Sequence, residues 1–191
     1  MKVLQILPQL NIGGVERGTL DLSKALIQKG HESFVISGGG ILVDELIQSG
    51  AKHYEIPVHI KSLRTLYLAK SLSEKISSID PDIVHVRSRM PAWVNYRAFK
   101  MLQKKPLLIS TFHGLYSFPI YSKVMSFVDH SIAISKTVEM YILENYKLDK
   151  DDITVIPRGC DPIEFNNDVI NPVDKANIIK EFPQIVGKKI L

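Results

Sequence analysis

The sequence predicts an α/β fold, a Rossmann-like, doubly wound, mostly parallel sheet of about seven strands with helices on both faces. Two observations predict it. Short apolar runs of strand length recur along the chain, and most are separated by longer stretches whose apolar residues return every three or four positions. The strand-like runs are Val3–Leu7, Ser33–Ser37, Lys52–Ile56, Asp82–Arg87, Leu107–Phe112, His130–Ser135 and Ile153–Pro157. In the first helical stretch Val15, Gly18, Leu22, Ala25 and Leu26 share a face, with Gly18 and Ala25 small enough for close packing on a sheet. In a later one Val94, Ala98, Met101 and Leu102 do the same, and Pro91 suits a first helical turn. Another starts after Ser135 as N-cap, with Val138, Ile142 and Tyr146 as its stripe. Residues 158–172 are rich in Gly, Cys, Asp, Pro and Asn and read as loop or linker. A short helix is expected over Asn171–Phe182, and Lys188–Leu191 reads as a strand that has only begun. The expected division is a domain over 1–165, then a linker and the start of a further domain over 166–191.

Composition narrows the function. With 45% hydrophobic and 23% charged residues, the 191-residue chain is globular and long enough for a full core. No run approaches the roughly 18 apolar residues of a membrane span, and the opening residues do not read as a signal peptide. A single cysteine, Cys160, excludes an internal disulfide and a Cys-cluster metal site, and a reducing cytoplasm is the default location. A net charge of +4 is only mildly basic, which suits an anionic small ligand or membrane surface and argues against nucleic acid.

In an open parallel sheet, ligands sit beyond the carboxyl ends of the strands, so those loops carry the candidate site. Gly13 and Gly14 precede the first helix, where free N–H groups and the helix dipole make an anion cradle; a plain tight turn is the alternative. The glycines at 13, 14 and 18 lack the G-x-G-x-x-G order, and the second strand ends in Ser37-Gly38-Gly39-Gly40 without an acid for a ribose, which argues against a nicotinamide dehydrogenase. A P-loop is absent too. Arg87-Ser88-Arg89 follows the fourth strand and could hold a phosphate or carboxylate, or form a solvated surface pair. His113, at the carboxyl end of the fifth strand and before Gly114, is well placed for chemistry, although a lone histidine is more often structural. Arg158-Gly159-Cys160-Asp161 follows the seventh strand as a turn or hinge. These features describe an anion-binding α/β domain whose reaction they leave open.

Taken in order, several segments resemble the N-terminal domain of a GT-B glycosyltransferase of the family-4 type. They are Gly13-Gly14-Val15-Glu16, Gly38-Gly39-Gly40, Asp82-Ile83-Val84-His85, Thr111-Phe112-His113-Gly114, Ala133-Ile134-Ser135-Lys136, and Val155-Ile156-Pro157-Arg158-Gly159-Cys160-Asp161 with Phe165. The resemblance implies two Rossmann-like domains across a cleft, a nucleotide-sugar donor, retention of anomeric configuration and no metal or other cofactor. By the same resemblance Gly13, Gly14 and Glu16 form the donor-phosphate loop and His113 is the catalytic residue beside the transferred sugar. Arg87, Ser88, Arg89, Trp93 and Gly114 face the acceptor, and Arg158, Gly159 and Asp161 belong to the hinge. The family often has Asn where Arg158 stands, so no specific role carries over there. The second domain's Glu-x7-Glu signature is absent, so this chain is expected to be the acceptor-side half, inactive alone.

The expected activity is hexosyl transfer to a surface-polysaccharide, lipopolysaccharide or glycolipid acceptor in cell-envelope synthesis. The alternatives are a non-catalytic subunit beside a separate donor-binding chain, or half of a sugar-nucleotide epimerase. Lys61, Arg64 and Lys70 with Leu63, Leu66, Tyr67 and Leu68 could form a basic amphipathic helix, and Lys100, Lys104 and Lys105 add a second cluster. Peripheral contact with the inner face of an anionic membrane is one reading of these patches, and a solvated helix face is the commoner one.

Overall fold

The computed structural model describes residues 1–60, 67–117, 119–160 and 172–188. They form two compact units, Met1–Pro157 and Arg158–Leu191. The expected domain boundary at 165/166 lies outside the described residues.

All seven predicted strands form, as β1 (Lys2–Ile6), β2 (Glu32–Ser37), β3 (Lys52–Glu55), β4 (Ile83–Val86), β5 (Leu107–Phe112), β6 (His130–Ala133) and β7 (Ile153–Val155). Every pairing is parallel and the order is β3-β2-β1-β4-β5-β6-β7. The order reverses between β1 and β4, so the helices after these strands leave on opposite faces and a crevice opens at the carboxyl edge. The helices of this unit are α1 (Gly14–Gln28), α2 (Val43–Gln48), α3 (Leu68–Ile79), α4 (Arg89–Phe99), α5 (Pro119–Ser122) and α6 (Lys136–Asn145).

Alternation along each strand divides the core in two. Leu4 and Ile6 of β1 join the larger cluster with Leu72 and Ile76 of α3, Val94 and Ala98 of α4, and Val138 and Ile142 of α6. Leu7, just beyond β1, joins the smaller one with Leu20 of α1, Val35 of β2 and Leu46 of α2. The predicted α6 stands as expected: Ser135 Oγ accepts from Val138 N at 3.2 Å, and Val138, Ile142 and Tyr146 are buried. Pro91 lies in the first turn of α4, but that helix stops at Phe99, leaving Met101 exposed and Leu102 buried beyond its end.

The first helix corrects the expected face. Its buried residues are Thr19, Leu20 and Ser23, while Ala25 is exposed. The cause is Gln5, fully buried on β1, whose Nε2 donates to the Thr19 carbonyl at 3.1 Å and to Ser23 Oγ at 2.9 Å. Ser33 Oγ on β2 donates to Ser23 Oγ at 2.9 Å. A buried amide needs polar partners, so the helix turns the Ser23 hydroxyl and the Thr19 carbonyl inward, while the Thr19 hydroxyl donates to Val15 O at 2.8 Å.

The second unit has α7 (Pro172–Glu181) followed by a 3-10 turn, Pro183–Ile185, with nearly every described residue exposed. The helix matches the one expected over Asn171–Phe182, whereas 189–191 of the expected terminal strand lie outside the described residues.

The loops after β1 and β2 are joined by three backbone bonds: Gly38 N to Pro8 O at 2.9 Å, Leu10 N to Gly39 O at 2.7 Å and Leu42 N to Leu10 O at 2.8 Å. Gly40 has φ +141, and a Cβ there would collide with the Leu10 carbonyl. Gly40→Ala is therefore expected to destabilise the domain by about 2 kcal/mol. Urea unfolding checks it, and an unchanged midpoint would refute the close approach.

Candidate functional site at the carboxyl edge of the sheet

The site begins with a polar row across β1, β4 and β5. Gln5 pairs in register with His85, and Arg87 lies two residues farther on the same face. Arg87 Nη1 donates to Gln5 Oε1 at 2.8 Å, with both side chains buried. His85 Nε2 lies 2.7 Å from Thr111 Oγ1, also buried. Burial drives His85 well below its ordinary pKa, and the neighbouring Arg87 and His113 push the same way. His85 is thus neutral at pH 7. His113, two residues past Thr111, is half-buried at the mouth of the crevice.

The α1 terminus lies on the other side of the crevice. Gly13 is the N-cap and has no side chain to cap the first turn; its carbonyl accepts from Arg17 N at 2.9 Å. The Glu16 carboxylate folds back over Gly13 and complements the positive end of the helix. An anion arriving at the Gly13-Gly14 amides has to move that carboxylate.

Two expected acceptor-facing residues are used otherwise. Arg87 turns into the domain, because the buried Gln5 oxygen requires a donor. Trp93 is half-buried and pins the following segment, with Nε1 donating to Tyr121 O at 2.9 Å and its edge against Tyr96. Ser88 is the N-cap of α4 without a side-chain cap bond, and Gly114 has open space where a Cβ would stand. Arg89 remains at the edge, with its guanidinium over the rings of Tyr116 at 4.9 Å and Tyr121 at 5.4 Å. The structure thus brings together His113, Gly114, Ser88 and Arg89 on the loops after β4 and β5. Arg158 and Gly159 belong to the second unit, and Asp161 lies outside the described residues.

The sequence reading missed the tyrosines. Tyr141 donates its hydroxyl to Tyr116 O at 2.6 Å, and the Tyr116 hydroxyl accepts from His113 N at 3.5 Å. Burial raises the Tyr116 pKa, so this hydroxyl stays protonated. Their irregular spacing follows no helix or strand period, and only the fold assembles them. His59, packed against Gly38, was missed for the same reason.

The family model of Glycosyltransferase Family 4 matches residues 12–164. The chain belongs to this family. Its sheet and helices are those of the GT-B glycosyltransferases among its structural neighbours. A glycosyltransferase structure from Rickettsia africae ESF-5 is 37% identical with a TM-score of 0.77, covering 95% of this chain and 49% of that one. Anabaena Alr3699/HepE in complex with UDP and glucose has the same fold at 15% identity, TM-score 0.72, over 95% of this chain and 50% of that one. A human phosphatidylinositol N-acetylglucosaminyltransferase subunit is 25% identical over 185 residues, 88% of this chain and 38% of the human protein. The family-4 chain thus spans about half the length of those structures. No helix among its described residues is long and apolar enough to cross a membrane.

The neutral His85 sets a pH dependence. Its folded pKa lies below the ordinary value of about 6.5, so the unfolded chain binds more protons as pH falls, and stability is lost from about pH 6.5 downward. Half-buried His53, also lowered by burial, adds in the same direction. Unfolding free energy is expected to fall by up to about 1.4 kcal/mol per pH unit for His85 alone. His85→Gln should flatten this slope, and an equal slope in both proteins would refute the buried neutral histidine.

Proposed function

We propose that this domain is the acceptor-side half of a retaining glycosyltransferase that moves a hexosyl group from a nucleotide sugar to a glycolipid, lipopolysaccharide or surface-polysaccharide acceptor. The observation that carries the reading is the juxtaposition, across the β1/β4 crevice, of the α1 N-terminus at Gly13-Gly14 with the His113-Gly114 loop. The donor's anomeric C–O bond breaks while the acceptor hydroxyl oxygen bonds to that carbon, and the nucleoside diphosphate leaves with the electron pair and takes up the hydroxyl's proton on its departing oxygen. The Gly13 and Gly14 amides and the α1 dipole stabilise the charge on the departing phosphate, which makes a metal unnecessary. Displacement of the Glu16 carboxylate couples that step to phosphate arrival. His113 lines the sugar side.

The donor class is supported by family membership and by the UDP and glucose of the Anabaena complex. The acceptor class is supported by the human relative's phosphatidylinositol and by the similar fold of a lipopolysaccharide outer core galactosyltransferase, 16% identical with a TM-score of 0.67. A place at the inner face of the membrane follows from such an acceptor. The basic stretch meant to hold it there falls largely at 61–66, outside the described residues. In the second cluster Lys104 pairs with Asp80 at 2.7 Å and Lys100 stacks on Tyr96 at 4.2 Å, so two of its three charges are engaged on the protein itself.

A polypeptide carrying this domain with a donor-binding half is expected to transfer sugar from a UDP-, GDP- or ADP-sugar, and the 191-residue chain alone to transfer none. His113→Ala should lower kcat by about 10²–10³ while the melting temperature holds. Absence of transfer from every donor would refute the reading. Epimerisation of free UDP-sugar without an acceptor would replace it.

A further inference from the structure

Beside His113 the chain builds a cationic feature that the transfer chemistry itself does not use. The Arg89 guanidinium lies over the rings of Tyr116 and Tyr121, at 4.9 and 5.4 Å from their centroids. Both tyrosines are fixed from behind. The Tyr116 ring leans on Phe112 at 5.5 Å and its carbonyl accepts from Tyr141, while the Tyr121 carbonyl accepts from Trp93 Nε1. The two rings therefore preorganise the cation, which costs an incoming ligand little ordering of a long side chain.

A guanidinium held over aromatic rings keeps N–H donors for acceptors. The partner of that edge is Ser122 Oγ, at a long 3.5 Å, and Arg89 pairs with no carboxylate of the described residues. Its place is also electrostatically adverse. Arg89 is the first residue of α4, whose first turn holds no acid, so the positive end of the helix faces a positive side chain. Buried Arg87, two residues earlier, adds a second charge of the same sign. An anion with several oxygens suits both the Arg89 guanidinium and the positive end of α4.

We propose that Arg89 on its tyrosine platform reads a phosphate ester carried by the acceptor, next to the hydroxyl that receives the sugar. The inference rests on the glycosyl-transfer reading and names its acceptor class. A tetrahedral phosphate can meet the guanidinium fork and the Arg89 and Met90 amides at the start of α4 together, because its oxygens diverge. The Tyr116 hydroxyl accepts from His113 N, so the anion platform and the loop expected to line the sugar are one connected piece. Leu115 and Ile120, exposed by 59% and 89% on the same segment, suit an apolar continuation of that ester. The phosphate could belong to a lipid head group or to a soluble sugar phosphate, and the two are separable.

The test is calorimetric titration of the 191-residue chain with glucose 1-phosphate, glucose and inorganic phosphate, with amide NMR shifts recorded in parallel. Glucose 1-phosphate is expected to bind about tenfold or more tighter than either of the others, with shifts centred on Arg89, Tyr116 and Tyr121. R89M, which keeps the bulk but removes the charge, should abolish the margin over glucose. Phosphatidylcholine vesicles with and without phosphatidylinositol locate the ester. Sedimentation that needs phosphatidylinositol and is lost in R89M assigns it to a lipid. Glucose 1-phosphate binding without vesicle binding assigns it to a soluble acceptor.

Equal binding of glucose and glucose 1-phosphate, inorganic phosphate binding as well as the ester, or retention of the margin in a folded R89M would overturn the proposal. If R89M fails to fold, the wild-type shift map decides, and shifts centred away from Arg89 overturn it. Transfer to an unphosphorylated acceptor with no phosphate margin would sink this proposal alone. A phosphate margin lost in R89M, without transfer from any donor, would sink the transferase reading instead.

Discussion

A single buried hydrogen bond organises much of this domain: Arg87 Nη1 to Gln5 Oε1, 2.8 Å across the β1/β4 junction. Gln5 sits within the first strand with no exposure, where an apolar residue would be the simpler choice. Once an amide is there, each of its polar atoms left unpaired costs about 1–3 kcal/mol. Its nitrogen draws Thr19 and Ser23 of α1 onto the sheet, and its oxygen draws Arg87 inward. One residue thus sets the rotation of the first helix and the direction of the fourth loop.

The carboxyl edge inherits its charge pattern from this arrangement. With Arg87 inside, His85 stays neutral, and the cation left at the surface of that loop is Arg89. The aromatic cluster that supports Arg89 also supports the backbone of His113. Across the crevice, the loops after β1 and β2 are tied by backbone bonds that a glycine at 40 permits. Rigid floors on both sides of a crevice suit a site that must hold two substrates in fixed relation.

The central strands β1, β2 and β4 are legible because each is a short, mostly apolar run buried on both faces, whereas the edge strands β3 and β7 are mostly unburied. The α6 cap at Ser135 was legible because capping is local. The α1 face was not: an expectation built on Val15, Gly18 and Ala25 treats polar residues as outward, and the buried Gln5 reverses that for Thr19 and Ser23. The resemblance assigns Arg87 and Trp93 to the acceptor side, but their partners in the fold, Gln5 and Tyr121, are remote in sequence. Arg89 was recognised as an anion candidate, but the tyrosines that position it lie 27 and 32 residues onward, with no periodicity to betray them.

The central claim is a division of labour, in which this half holds the acceptor and most of the grip on the donor nucleotide lies elsewhere. It is tested most directly by titrating the chain with UDP-, GDP- and ADP-sugars by calorimetry and thermal shift, since a ligand that binds only the native state must raise its melting temperature. The account predicts little or no shift at millimolar nucleotide sugar. A clear shift at micromolar ligand would mean that the domain holds a complete nucleotide site, and would contradict it.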